Sequence, residues 1–360
     1  MKGCGMRTAT SDNGVPGAIA LHGTVRLVLR GNARVRPLHH SLHRGVGSYG
    51  RHDLAAPWPP LPEHDVHVSI TEVIPMLNSP LVRSPLWLAP PERLPADVHA
   101  LRRAATTALG SPPTGDPIRL PDEHEATFDA FFGVARSAGD PVSLLVHALA
   151  TTYATTPGTA HAPSLRLALQ AAGITPASVT AATATASPEE CWVLGHRLFF
   201  ALIQGAVVGL RHAVACSTDV PESVLGIRTA DVFLAASASA LRLTASFSRQ
   251  DYEDAIRPAM SRAGEDSATG FSGLWSADHR VLVGGLRAWG IEAAQHRAPR
   301  VLDAERSLRA TLSDVYAAHS GICHRFTGDG PSLLNDKGSA VLKLERLACA
   351  RQRLLPPDEA

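Results

Sequence analysis

From residue 64 onward, apolar side chains recur at spacings of three and four residues, a period that places them on one face of an α-helix. Strand-type alternation is nearly absent from residue 90 onward, and no internal repeat is visible. The predicted helices are Pro91 to Leu109, Asp122 to Ala138, Asp140 to Thr152, Pro188 to Cys216, Arg228 to Ala245, His279 to Trp289, Val301 to His324 and Gly338 to Leu355. The sequence therefore predicts an all-α, multi-helix fold.

Local residues mark several helix ends. Pro188, followed by two acidic residues, is typical of a first helical turn. Ser248 with Asp251 after it predicts an N-cap, and Pro258 is expected to end or kink the helix that follows. The segment Val220 to Leu225 is interpreted as a short turn between two long helices.

Residues 1–60 differ from the rest of the chain. They are rich in Gly, Arg and His, and they end in a proline-rich stretch from Ala56 to Pro62. Such a composition has little to bury in a core, so we expect a disordered or loosely attached extension. Residues 61–360 are expected to form one helical domain.

Composition and charge narrow the classes of protein that fit. With a net charge of +1 and no basic stripe, nothing favours nucleic-acid binding. The longest apolar runs are interrupted by Arg, His or Gln before the ~20 residues that a membrane span needs, so no span is expected. Five scattered cysteines, an odd number, fit a reducing compartment, and we expect a cytoplasmic protein. The sequence is also compatible with a homodimer.

Familiar catalytic motifs are missing from the sequence, which contains no HExxH, GxSxG, CxxC or phosphate-binding glycine motif. What remains is an unusual number of histidines, 17 in all, several of them within apolar helical segments. Imidazole is both a metal ligand and an acid–base group near neutral pH. The candidate chemistry therefore starts from these histidines.

The most specific pattern is His319 followed by Cys323. Four residues of helix place the imidazole and the thiol on one face, about 6 Å apart along the axis. This His could ligate a heme iron, and the Cys could form one thioether to the same macrocycle, in the reverse order of the usual CxxCH attachment. The alternatives are a satisfied core His beside a buried Cys, or a zinc site that includes His324.

A second candidate lies on the predicted helix that begins at Pro188. Trp192, His196, Phe199 and Phe200 fall on one face of that helix. A His among aromatic rings could stand over a heme and orient a flat substrate by stacking. The alternative is a core helix in which His196 bonds a backbone carbonyl.

A third candidate is Arg257, which precedes Pro258 and a glycine-flanked segment from Gly270 to Gly273. A guanidinium pairs well with carboxylates, so Arg257 could bind an amino-acid substrate or a heme propionate. A plain surface role is the alternative.

Three segments together resemble the histidine-ligated heme-dependent aromatic oxygenases, the relatives of tryptophan 2,3-dioxygenase. These segments are Ile256 to Met260, Gly270 to His279, and the helix from Trp192 to Phe199, with His319 as a proximal-type histidine on a late helix. Within that family, the spacing of His279, His319 and Cys323 is similar to the branch that hydroxylates 3-methyl-L-tyrosine in saframycin-type antibiotic biosynthesis. The resemblance covers roughly residues 185–345.

The resemblance implies a role for each matching residue. His319 would be the proximal iron ligand and Cys323 would carry the single thioether to a covalent heme. His196 would be the distal-side histidine, with Trp192 lining the ring pocket. His279 would take part in acid–base chemistry.

The resemblance also implies substrate contacts and a reaction. Ser339, with Gly338, would lie in the small-residue loop that touches the substrate, at a helix N-terminus suited to an anion. Asn335 to Lys337, just before it, departs from the Gly/Thr-rich run of the dioxygenases, which favours the hydroxylase branch. The implied reaction is ring hydroxylation of a tyrosine derivative with hydrogen peroxide, with dioxygen as the other candidate oxidant.

Two other functions remain compatible with the residues. One is a heme dioxygenase of the same family that opens an indole ring by adding two oxygen atoms. The other is a heme-free helical binding protein in which the histidines are structural. A strong visible absorption band would separate a heme protein from a binding module.

Overall fold

The computed structural model describes residues 88–89, 123–136, 141–174, 186–265, 270–328, 330 and 338–356. The interpretation of residues 1–60, the boundary at residue 60 and the helix expected over Pro91 to Leu109 all lie outside the described residues. So does the departure at Asn335 to Lys337.

Helices make up almost all of the described chain. They are α1 (Glu123–Phe132), α2 (Pro141–Thr155), α3 (Pro163–Ala171), α4 (Pro188–Ala215), α5 (Val220–Thr244), α6 (Arg249–Asp251), α7 (Arg257–Ala263), α8 (Ala277–Ala293), α9 (Pro299–Thr327) and α10 (Ala340–Gln352). One two-residue antiparallel pair, β1 (Leu88–Ala89) with β2 (Ala135–Arg136), is the exception among the described residues. The predicted all-α class is confirmed.

The start of α4 follows from its sequence. The Ser187 hydroxyl accepts a hydrogen bond from the Glu190 backbone N–H, and the Glu190 carboxylate accepts one from the Ser187 N–H. This reciprocal cap, with Pro188 in the first turn, satisfies donors that a helix start otherwise leaves free. The cap fixes where α4 begins, and α4 carries Trp192 and His196 about one and two turns later.

The start of α5 corrects one expectation. Val220 to Leu225 was expected to be a short turn, but it forms the first turns of α5. The Asp219 carboxylate accepts a hydrogen bond from the Glu222 backbone N–H, and Pro221 occupies the first turn. A capping acid and a proline at this position start a helix rather than interrupt one.

Helices α4 and α5 run antiparallel and approach each other closely through glycines. A Cβ built on Gly209 would lie 2.5 Å from the backbone nitrogen of Ala230, and one on Gly205 would meet the Phe233 ring at 2.5 Å. About three turns before Gly205, Gly195 faces the backbone of Thr244. Because no side chain separates the two backbones at Gly209 and Gly195, the helices are in contact over most of their length.

Helices α4 and α5 are also long and apolar enough to cross a membrane, by length and composition alone. Polar residues do interrupt both runs, among them Gln204 in α4 and Arg228 in α5, and the absence of a membrane span stays a prediction. In the fold, 78% of the apolar window in each of them is buried inside the protein. Both are central helices of the described core.

Polar contacts tie the later helices to this pair. The Arg325 guanidinium of α9 donates to the carbonyls of Ala245 and Phe247 at 2.8 and 2.6 Å, just beyond the end of α5. Gln204 of α4 donates to the Asp278 carboxylate at the start of α8, at 2.9 Å. These contacts place the end of α9 beside the end of α5, and the beginning of α8 beside the middle of α4.

Between α6 and α7, the chain passes through one π-helical turn, Tyr252–Ile256. The Arg257 N–H bonds the carbonyl of Tyr252, and Pro258, which has no N–H, follows at once. Pro258 was expected to end or kink the helix; instead the turn before it widens and the helix continues to Ala263. The predicted cap at Ser248 is confirmed, because its hydroxyl accepts from the Asp251 N–H.

We expect Gly209→Ala to lower the free energy of unfolding by about 1–3 kcal/mol, because the added methyl meets the backbone of α5. The matched control is Gly284→Ala on α8, where an added Cβ has nothing within 4 Å. There the same change should raise stability by about 0.5–1 kcal/mol through helix propensity. Urea unfolding measures both; equal effects from the two substitutions would contradict the close contact.

Candidate active site

His196 of α4 and His279 of α8 both lie near His319 of α9. Burial lowers the pKa of His196, His279 and His319 to about 4 each, and the proximity of His319 contributes to lowering the first two. His319 is therefore within electrostatic reach of each of the other two rings. All three are neutral near pH 7, and a neutral imidazole is the form that binds metals and accepts protons.

The histidines are partly accessible and yet strongly desolvated. Each keeps an intermediate fraction of its surface open, whereas the surrounding protein still penalises its charged form. A side chain in a packed core would show no open surface, and one in bulk water would show no desolvation. The combination indicates that the three rings face a recess inside the protein.

His196 is held in one tautomer. Its Nδ1–H donates to the backbone carbonyl of Trp192 at 2.7 Å, which leaves Nε2 as the ring's proton acceptor. The imidazole stacks on Phe132, with ring centroids 4.6 Å apart and planes at 28°, and also contacts the Trp192 ring at 4.3 Å. Arg197 fixes Phe132 by donating to its carbonyl at 2.6 Å. His196 therefore presents an oriented base.

Three functional side chains form one stripe along α9: Tyr316, His319 and Cys323. Their spacings of three and four residues place them on the same helix face. Burial raises the pKa of the Cys323 thiol to about 11, so it carries its proton near neutral pH. The structure places the predicted iron ligand and the predicted thioether residue beside each other.

The second ring nitrogen of an iron-bound histidine is usually fixed by a carbonyl or a carboxylate. Within the described residues, no hydrogen bond holds the His319 ring, and the carbonyl-bound imidazole is His196 instead. The difference follows from geometry: Trp192 lies one turn before His196 on the same helix, where its carbonyl is within reach.

Aromatic rings form a wall around Cys323. Tyr252, from the π-helical turn, stacks on Phe326 with centroids 4.6 Å apart and planes at 3°, and Phe247 stacks on the same ring at 5.2 Å. Trp192 contacts both Tyr252 and Phe247, at 6.3 and 6.4 Å. Burial raises the pKa of Tyr252 to about 12, and the proximity of Cys323 contributes to that rise. These ring contacts connect Trp192, near the start of α4, with Phe326, near the end of α9.

The other predicted substrate residues on α4 lie beside this recess. Phe200 is only 2% exposed and packs against Phe132 and Phe128 at 5.2 and 5.5 Å. Phe199 is partly buried, and its ring contacts Phe200 at 5.9 Å. Contact of these two rings with a substrate stays a prediction.

Arg257 and Ser339 occupy different positions relative to the histidines. Arg257 lies just after the π-helical turn, where its Nε is 3.9 Å from the Glu253 carboxylate, and its charge acts on Tyr252. Ser339 is partly buried and immediately precedes α10, and its side chain makes no capping bond there. Their contacts with a substrate also stay predictions.

The residues present fit a heme rather than a metal held by the protein alone. Across the described ranges, no group of three or more His, Cys, Asp or Glu side chains could hold a metal ion. Heme iron needs only one protein ligand, and His319 is neutral and free of hydrogen bonds. The protonated Cys323 thiol, one turn away, suits addition to a vinyl group of the heme. The buried Nε1 of Trp192 has no hydrogen-bond partner.

Four residues of this region had not been selected from the sequence as site residues. Tyr316 could have been found, since it lies three positions before His319 on the same helix. Tyr252 could have been found less directly, as an aromatic ahead of a helix-breaking proline. Phe132 and Arg351 reach the site only through packing of distant segments, so no local signal marks them.

Comparison with known proteins identifies the family of this chain. The family model described as SfmD 3-methyl-L-tyrosine peroxygenase matches residues 61–305. A 3-methyl-L-tyrosine peroxygenase of Streptomyces lavendulae is 29% identical over 304 residues, which cover 74% of this chain and 78% of that relative. The solved structure "Crystal structure of reduced SfmD by soaking with sodium hydrosulfite" shares 24% identity, covers 70% of this chain and 88% of its own, and has a TM-score of 0.45.

The matched segment contains His196 and His279 and ends before His319 and Cys323. It spans well over half of the chain, and its description agrees with the predicted resemblance and with the predicted oxidoreductase acting on a tyrosine derivative. The chain belongs to the SfmD 3-methyl-L-tyrosine peroxygenase family.

Proposed function

We propose that this protein hydroxylates the ring of 3-methyl-L-tyrosine with hydrogen peroxide, using a heme bound through His319. The observation that carries the proposal is the position of the buried, neutral His319 near both His196 and His279, with Cys323 one helical turn after it. Family membership supports the substrate and the oxidant, because the curated relative is a 3-methyl-L-tyrosine peroxygenase. In this reaction one peroxide oxygen forms the new C–O bond, and the other leaves as water.

When bound, the heme would supply the oxygen-transfer chemistry that no amino-acid side chain provides. His319 would hold its iron through a neutral imidazole nitrogen. Cys323 would hold the macrocycle through one thioether. The thioether would fix the orientation of the macrocycle.

Proton transfer falls to His196 and His279. The Nε2 of His196 can take a proton from peroxide and return one to the departing water, while its Nδ1–H stays on the Trp192 carbonyl. His279 on α8 is also neutral near pH 7 and is the second candidate for proton transfer. The substrate ring would lie against Trp192, with Phe199 and Phe200 behind it.

We also propose that the protein acts in the cytoplasm. Of its five cysteines, the four in the described residues, Cys191, Cys216, Cys323 and Cys349, are all free thiols. Free thiols persist in reducing compartments. Fractionation of the native host's cells tests this location. Recovery of the protein in a secreted or membrane fraction would overturn the cytoplasmic proposal.

The reaction itself is the first prediction of this proposal. The purified protein, given 3-methyl-L-tyrosine and hydrogen peroxide, should yield a product heavier by one oxygen atom, and labelled peroxide should supply that atom. His319→Ala should lose the strong visible heme band and the activity. Addition of two oxygen atoms to tryptophan, with none to tyrosines, would indicate an indole dioxygenase instead. A wild-type protein without a visible band would indicate a heme-free binding protein.

Cys323 should carry the heme covalently. Acid–organic extraction should leave heme on the wild type and release it from Cys323→Ser. The matched control is Cys216→Ser, because Cys216 also has a His four residues earlier, His212, but at the far end of α4. Release of heme from the Cys216 variant, and not from the Cys323 variant, would show that the heme lies elsewhere.

His196→Ala should retain heme and lose about 10²–10⁴-fold in turnover, the usual contribution of a positioned acid–base group. Its pKa of about 4 means that the neutral form persists as the pH falls through 6.5, where an ordinary imidazole takes up a proton. The wild-type rate should therefore decline only as the pH approaches about 4. A decline centred near 6.5, or full activity of the variant, would argue against this role.

A further inference from the structure

Arg351, near the end of α10, is fixed beside the active site by its neighbour. The Gln352 side chain donates to the Arg309 carbonyl at 3.0 Å and to the Ser313 hydroxyl at 2.8 Å, both on α9. In turn, the Arg309 guanidinium donates to the Gln352 carbonyl at 3.0 Å. These contacts lock the end of α10 against the middle of α9, so the position of Arg351 is set by the fold.

The guanidinium of Arg351 lies close to Tyr316 and His279. Burial raises the pKa of Tyr316, and the charge of Arg351 and its hydrogen bond to the hydroxyl act against that rise; burial lowers the pKa of His279, and the charge of Arg351 adds to that effect. Its Nε is buried with no hydrogen-bond partner. In the part of the chain that the structure describes, no Asp or Glu pairs with it, whereas Arg257 has Glu253 at 3.9 Å. A partly buried cation without a counter-charge is costly unless an anion joins it.

The order of side chains along α9 indicates which anion belongs there. Tyr316 lies three residues before His319, and Cys323 lies four residues after it, so the two flank the imidazole on one helix face. In heme, the vinyl groups and the propionates occupy opposite edges of the macrocycle. If a vinyl group meets Cys323, the propionates extend toward Tyr316 and Arg351.

We propose that Arg351, together with the Tyr316 hydroxyl, forms a carboxylate-binding subsite at the edge of the active site opposite Cys323, and that a heme propionate fills it. Guanidinium and phenol groups are both donors that suit a carboxylate. This inference rests on the proposed heme function. The α-carboxylate of the amino-acid substrate has the same chemistry and is the second source that could occupy the subsite.

The propionate is tested by heme retention, without reference to turnover. In a Cys323→Ser background, where no thioether holds the heme, we compare the rate of heme transfer to excess apomyoglobin. Arg351→Gln should accelerate the transfer about 10- to 100-fold, the loss of one charge-assisted contact. Arg351→Lys should fall between. Arg346→Gln, an exposed arginine on the same helix, is the matched control and should leave the rate unchanged.

The substrate carboxylate is tested by equilibrium binding. Calorimetry compares 3-methyl-L-tyrosine with the amine that lacks its carboxylate, on wild type and on Arg351→Gln. If a propionate fills the subsite, Arg351→Gln should change the affinities for the amino acid and the amine equally, or change neither. Weakening of the amino acid alone, by about 10-fold or more, with heme transfer unchanged, would keep the subsite and assign it to the substrate.

Unchanged heme transfer together with unchanged binding of the amino acid would overturn the subsite. Tyr316→Phe provides a second variant of nearly the same volume and should show a smaller effect in whichever assay responds to Arg351→Gln. Heme retention that depends on Arg351, in a protein that fails to hydroxylate the substrate, would refute the proposed reaction and keep the subsite. A wild type that binds no heme would refute the proposed function, while the calorimetric comparison would still report on Arg351.

Discussion

The close antiparallel contact between α4 and α5 is the constraint on which the rest of the structure depends. Gly209 lets the two backbones approach, and no larger residue could stand there without moving a helix, while Gly205 leaves room for the Phe233 ring. The contact fixes the direction of α4, whose first turns carry His196. The end of α5 receives the side chain of Arg325 of α9, two residues after Cys323. The site is thus assembled from helix ends whose positions are set deep in the core.

Burial gives the site its chemical character as well as its shape. Desolvation is the main cause of the low pKa of His196, His279 and His319, so all three stay neutral without a carboxylate partner. Neutral imidazoles can serve either as metal ligands or as acid–base groups. A metal ligand needs a free lone pair on nitrogen, whereas an acid–base group needs a defined tautomer. The Trp192 carbonyl gives that tautomer to His196, which suits it to proton transfer. His319 keeps its ring unengaged, which suits it to a metal.

The sequence predicted the helical class, the start of α4 and the helix face that carries Trp192 and His196, because all of these are local. It misjudged Val220 to Leu225, where the interpretation of a turn overlooked the capping value of Asp219. Arg257 was selected as a candidate carboxylate partner, because the adjacent proline suggested a shaped loop, and that role stays a prediction. Arg351 was not selected, because its place beside Tyr316 comes from the packing of α10 on α9, and no periodicity in either segment records that contact.

Two lines of reasoning support the proposed site. The family match covers residues 61–305 and supports the fold and the activity, but it ends before His319. The assignment of the iron ligand rests instead on the resemblance carried by His319 and Cys323, and on the burial of His319 near His196 and His279. A late helix that merely completed the core would have no reason to bury an unpartnered imidazole opposite them. The heme site is therefore an inference from the packed structure, and the reaction is an inference from the family.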